Sequence, residues 1–202
     1  MKVLTERDQK VLRFIESSNL IFTSKQIGDI FYSTGNSKSA NVIARRRLQA
    51  MRELGKLKMT TKVIGQPCIY YYEKLPKKLP HRLIMSEFLR MISVNGFKII
   101  DVQIEYNGFR SIGLVPDMRI IVEYHGTKYV LLVEVDLTKN FTNEEKYLKI
   151  VANKRNFIQQ LPHPTRIISI CDRKPETEKL DVIWIDTKFE KFNNFLWAFS
   201  LK

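Results

Sequence analysis

Val130-Leu131-Leu132-Val133 places four apolar residues in a row. Side chains along a strand alternate between its faces, so a strand carrying this run has to be covered on both. The run therefore predicts a central strand with helices on each side. The flanking pattern agrees. Residues 117–124 and 128–136 surround His125-Gly126-Thr127 as two strands of a tight hairpin. Periodicity predicts a helix over 83–92 ended by Asn95-Gly96, a strand over 97–105, and a turn at Asn107-Gly108. A helix over 140–160, strands over 166–171 and 181–185, and a terminal helix over 189–199 follow. The order is α-β-β-β-α-β with a tail, an α+β or α/β arrangement.

The hairpin brings three carboxylates together. With His125 and Gly126 as the turn residues, Asp117 lies opposite Glu134; with Gly126 and Thr127, it lies opposite Asp136. Both registers put Asp117, Glu134 and Asp136 on one face. Three acids at a strand end repel unless a cation joins them, which points to an oxygen-rich site for Mg²⁺ or Mn²⁺. Acids at strand ends also serve as turn and capping residues, and Asp136 is placed to cap residues 138–142. His81, His125 and His163 follow no nucleophile motif.

Before Lys74-Leu75-Pro76-Lys77-Lys78-Leu79-Pro80 the patterning changes. The two prolines and three lysines read as a linker at 76–80, dividing a domain at 1–75 from one at 81–202. Thr5 caps a helix over 5–17 with Val11, Phe14 and Ile15 on one face. Thr23 caps a second, with Gln26 three residues on. A third helix over 37–54 carries Ala40, Ile43, Ala44, Arg47, Leu48 and Met51 on one side, and Lys38, Asn41, Arg45, Gln49 and Arg52 on the other. Residues 56–64 and 68–72 read as strands around Gly65-Gln66-Pro67. Three helices and a hairpin predict a winged helix-turn-helix, whose third helix enters the DNA major groove. Lys38, Asn41 and Arg45 are then candidates for base edges, and Arg46, Arg52, Lys58 and Lys62 for phosphates. Arg47 points toward the core by its spacing. The competing reading is a helical packing unit with surface arginines, or one that binds protein or RNA.

Charge favours the first reading. Of 34 Lys and Arg and 21 Asp and Glu in 202 residues, 14 and 6 lie in residues 1–75, a net +8 of the total +13. That density favours a polyanion, nucleic acid before membrane. A composition 44% hydrophobic excludes intrinsic disorder and collagen-like repeats. No run reaches the roughly 18 apolar residues of a spanning helix, and the charged start, Met1-Lys2-Val3-Leu4-Thr5-Glu6-Arg7-Asp8, lacks a signal core. The expectation is a cytoplasmic protein. Cys68 and Cys171, without CxxC spacing, fit reduced thiols.

The element order, with Pro116-Asp117 and then Glu134-Val135-Asp136, resembles the PD-(D/E)XK nuclease core. That resemblance implies a metal held by Asp and Glu, and a lysine two residues on to activate water. Asp136 stands in the lysine's place, leaving Lys139, Lys146 or Lys149 as substitutes and Glu87 as a match for a first-helix acid. The chain as a whole resembles the replication-relaxation family of bacterial plasmids and integrative elements. The resemblance rests on Leu4-Thr5-Glu6-Arg7-Asp8, Ala44-Arg45-Arg46-Arg47-Leu48, Leu54-Gly55, Leu79-Pro80-His81-Arg82-Leu83, Pro116-Asp117, Glu134-Val135-Asp136 and Lys146-Tyr147. Within that family Glu-Val-Asp is itself the expected form.

This implies a DNA-binding accessory protein of a mobile element, acting in replication, transfer or its control, whose nuclease-like domain is degenerate. Its partners would be double-stranded DNA and replication or transfer proteins. Two alternatives stay open. One is a Mg²⁺-dependent endonuclease or nickase using Asp117, Glu134, Asp136 and a helix lysine such as Lys149. The other is a repressor of the element, a homodimer formed through Phe192, Phe195, Leu196 and Phe199.

Overall fold

The computed structural model describes residues 3–33, 37–60, 67–137, 141, 143–177 and 179–200. The chain is mixed α+β, in two compact units that meet between Phe97 and Lys98.

In the first unit, α1 (Glu6–Ser18) starts at Thr5, whose hydroxyl accepts from the Asp8 N–H while the Asp8 carboxylate accepts from the Thr5 N–H. Thr23 and Gln26 repeat this capping box at α2 (Ser24–Ile27), which continues into a wide π turn, Gly28–Tyr32. The long helix α3 (Ser37–Glu53) buries Ala40, Ala44, Leu48 and Met51. It comes so close to Gly28 that a β-carbon there would lie 2.9 Å from the Ala40 backbone, so only glycine fits. Strands β1 (Phe22–Thr23), β2 (Lys58–Thr60) and β3 (Ile69–Tyr71) form an antiparallel sheet in the order β1-β3-β2. Against the predicted strands of 56–64 and 68–72, β2 begins at Lys58 and β3 spans Ile69–Tyr71, and 61–66 lies outside the described residues. The two-residue β1 has too little alternation to read in sequence.

Helix α4 (Leu79–Val94) corrects the expected boundary. It begins within the expected linker, because Pro80 sits in the first helical turn, where its missing N–H costs nothing. It belongs to the first unit, packing on α2 and the π turn. Ser86 Oγ donates to the Ile21 carbonyl at 2.5 Å, and Arg90 joins Asp29 at 3.0 Å and Glu87 at 2.8 Å.

The second unit is built on one five-stranded sheet in the order β4-β5-β6-β7-β8. The strands are β4 (Lys98–Ile104), β5 (Met118–Tyr124), β6 (Thr127–Asp136), β7 (Thr165–Cys171) and β8 (Val182–Ile185). The first three run antiparallel, and β6, β7 and β8 run parallel. Tyr124 pairs with Thr127, so the turn residues are His125 and Gly126, with φ of 47° and 76°. Positive φ at both positions makes the mirror-image turn that matches strand twist.

Central β6 buries Val130 to Val133 completely. One face meets Tyr147 and Ile150 of α5 (Glu144–Ala152), and Tyr129 on the other meets Phe199 of α6 (Asn193–Ser200), ring centroids 5.0 Å apart. The predicted helix over 140–160 is shorter: α5 stops at Asn153, and a separate turn, Lys154–Phe157, follows.

Candidate functional site

Two groups of predicted residues come together, one in each unit. On α3, positions 38, 42, 45 and 49 fall on one stripe of the helix. Lys38, Val42, Arg45 and Arg46 are exposed and Gln49 is half-buried. Val42, Arg45, Arg46 and Gln49 form one wall of a groove of about 500 Å³, whose other wall is Met59, Cys68 and Tyr70 of the small sheet and its approach.

The arginine run divides between surface and core. Arg47 turns inward, donating from Nε to Asp8 Oδ1 at 3.0 Å, pairing with Asp8 through Nη2 as well, and reaching the Val3 carbonyl at 3.0 Å. Arg45 and Arg46 turn outward. Asn41 Oδ1 accepts from Ser24 Oγ at 2.8 Å, so this candidate for base contact also ties α3 to α2. Arg52 is half-buried, and Lys58 Nζ donates to the Glu73 carbonyl at 2.8 Å. Lys62 lies outside the described residues. Val42, which helical spacing assigned to neither side of α3, stands half exposed in the groove wall.

In the second unit the acids assemble as the first of the two hairpin registers requires. Met118 pairs with Val133, and the Asp117 carboxylate, one residue back, accepts the Val135 N–H at 2.8 Å. Glu134 is buried, and its Oε1 accepts from the Tyr147 hydroxyl at 2.8 Å and the Asn143 amide at 3.2 Å. Burial, then the nearby charge of Asp117 and more weakly that of Asp136, push its carboxyl up to about 8 against the pull of Tyr147 and Asn143. Asp136, half-buried, pairs with Cys171 across the parallel ladder. Burial and the Glu134 charge push the Tyr147 phenol well above its ordinary range.

These residues are of the kind that holds Mg²⁺. One oxygen each of Asp117 and Glu134 faces a protein donor, and among the described residues no three His, Cys, Asp or Glu are grouped to hold a metal ion. Lys149 is exposed, two positions from Tyr147 and hence about 200° around the helix from the residue that reaches Glu134. Lys139 lies outside the described residues. Glu87 belongs to the first unit, where Gln26 Nε2 donates to it at 3.0 Å and Arg90 pairs with it. Tyr147 was missed as a partner of Glu134 because the contact depends on where α5 crosses the sheet.

Arg119, buried on the same face of β5 as Asp117, donates to the Gln160 carbonyl at 2.9 Å and lies over the Tyr106 ring at 5.0 Å. The expected dimer surface is largely internal: Phe192, Phe195 and Phe199 are buried, with Phe199 against Tyr129. Cys68 and Cys171 are free thiols. Among the described residues no helix is long and apolar enough to cross a membrane. Compared with known proteins, the chain matches no family model and no curated protein.

Proposed function

We propose that this chain is a duplex-DNA-binding accessory protein of the replication-relaxation kind, serving the replication, transfer or control of a bacterial plasmid or integrative element. In this reading the first unit is a winged helix that docks α3 in the major groove, and the second is a nuclease-like domain whose work does not require turnover. The observation that carries it is the division of Arg45-Arg46-Arg47: one guanidinium is fixed to buried Asp8, and its two neighbours stand exposed beside Lys38 and Val42 on the outer stripe of α3.

Other features support the same reading. The order of α1, β1, α2, α3, β2 and β3, with β3 between the other strands, suits a winged helix. Residues 1–97 hold 18 Lys and Arg against 7 Asp and Glu, a net +11 of the chain's +13. The antiparallel meander followed by a helical crossover to parallel β7 suits a PD-(D/E)XK core.

The test is Arg45→Ala, measured by duplex-binding titrations across a salt series. Affinity is expected to fall about tenfold, and the slope of log affinity against log salt to drop by about one. An unchanged affinity and slope in a folded variant would remove the docking model.

A further inference from the structure

Both tryptophans of the chain line one open groove of about 740 Å³ in the second unit, beside the edge strand β8. Trp184 forms a fixed wall. Its indole N–H donates to the Cys171 carbonyl at 2.8 Å, and the Asn194 side-chain amide donates to the Trp184 backbone carbonyl at 3.1 Å. Trp197, on α6, is 71% exposed, although Phe195 and Phe199 of the same helix are buried. The charged side chains lining the groove are Arg166, Lys174 and Lys191, against a single acid, Asp181. This bias is local: residues 98–202 carry 16 Lys and Arg and 14 Asp and Glu, a net of only +2.

An exposed indole among cations suits one class of partner. Unpaired bases offer flat faces that stack on an aromatic ring, and their phosphates bring the negative charge that lysine and arginine receive. A duplex keeps its base faces covered, so a protruding indole finds nothing there to stack on. A second copy of the chain seated symmetrically on this groove would bring its own three cations against these three. We propose that this groove binds a short run of single-stranded nucleic acid, bases stacking on Trp197 and backbone held by Arg166, Lys174 and Lys191. The inference is independent of duplex docking by α3.

The experiment titrates the intact protein with oligothymidylate, following tryptophan fluorescence in the parent and the anisotropy of end-labelled oligonucleotide in parent and variants. Stacking is expected to quench the parent's emission. Trp197→Ala is expected to weaken oligonucleotide binding about tenfold or more while leaving duplex affinity unchanged, and Trp197→Phe to restore part of the loss. Because Trp197 is exposed, the alanine variant keeps its fold, which thermal unfolding verifies. Arg166→Gln with Lys191→Gln is expected to lower the single-strand salt slope by about 1.4, two phosphate contacts at roughly 0.7 each. Equal oligothymidylate affinity in parent and Trp197→Ala would overturn the proposal. So would Trp197-dependent self-association in sedimentation, which would make the groove a contact between copies. Arg45→Ala separates the two readings, because it is expected to leave oligothymidylate binding intact.

Discussion

Asp8 is fully buried, yet it carries a charge that four donors hold in place: the Thr5 N–H, the Tyr32 hydroxyl at 2.9 Å, and Nε and Nη2 of Arg47. Burial alone would raise its carboxyl, but the Arg47 and Thr5 hydrogen bonds outweigh that and hold it down to about 2, against an ordinary 3.8. A depressed acid stabilises the fold above its unfolded value and loses that contribution as pH falls through the folded one. The difference corresponds to roughly 2 kcal/mol, lost between about pH 4 and pH 2. Asp8→Asn is therefore expected to cost about 2–3 kcal/mol at neutral pH and to flatten the acid limb of the Tm–pH curve. An acid limb of parent steepness in the variant would assign that limb to other carboxylates. Glu134 has the opposite sign. Raised from 4.5 to about 8, it stabilises fully below pH 4.5 and loses that contribution as pH rises through 8. Glu134→Gln keeps the shape and an acceptor for Tyr147, and is expected to be at least as stable as the parent at pH 8, with a flatter profile between about pH 4.5 and 8. If Mg²⁺ raised the Tm of the parent and not of this variant, the cluster would be a cation site instead.

Among the elements, α4 carries the most consequence for how the chain divides. It supplies Arg90 to buried Asp29, Glu87 to Gln26 and Ser86 to the Ile21 carbonyl. Cutting the chain after residue 75 removes all three, and with Arg90 goes the guanidinium that sits 3.0 Å from the buried Asp29 carboxylate. Fragment 1–75 is expected to lack a cooperative unfolding transition, whereas 1–97 melts as a unit and keeps duplex binding; circular dichroism on both checks this. The helix itself was legible in sequence, because its apolar spacing is helical whatever lies opposite, but that spacing does not name the partner. The same distinction runs through the rest. Val130 to Val133 announced a strand covered on both faces, and His125-Gly126-Thr127 announced a tight turn in one of two registers, since each signal lies within a few residues. Alternation also placed Asp117 and Glu134 on one face. The Tyr147 hydroxyl on Glu134 and the Arg47 bond to Asp8, 39 residues away in sequence, depend on how helices cross, and spacing along one segment does not report that.

At the scale of the molecule, charge and chain order coincide. The net +11 of residues 1–97 lies in a unit closed by distant contacts: Arg90 of α4 reaches Asp29, 61 residues back, and Ser86 reaches Ile21, 65 residues back. The second unit is knit differently: β6 and β7 run parallel, and Val130 pairs with Thr165, thirty-five residues further on. Parallel strands require a crossover, and the entropy of closing that loop is lost before the ladder returns any of it. Each unit thus has a distant closure to make, α4 in the first and β7 in the second, and the sheet emerges later from the ribosome. Residues 1–97 are complete as a unit before any strand of the five-stranded sheet has been made, so the basic half of a nascent chain is free to fold ahead of the remainder.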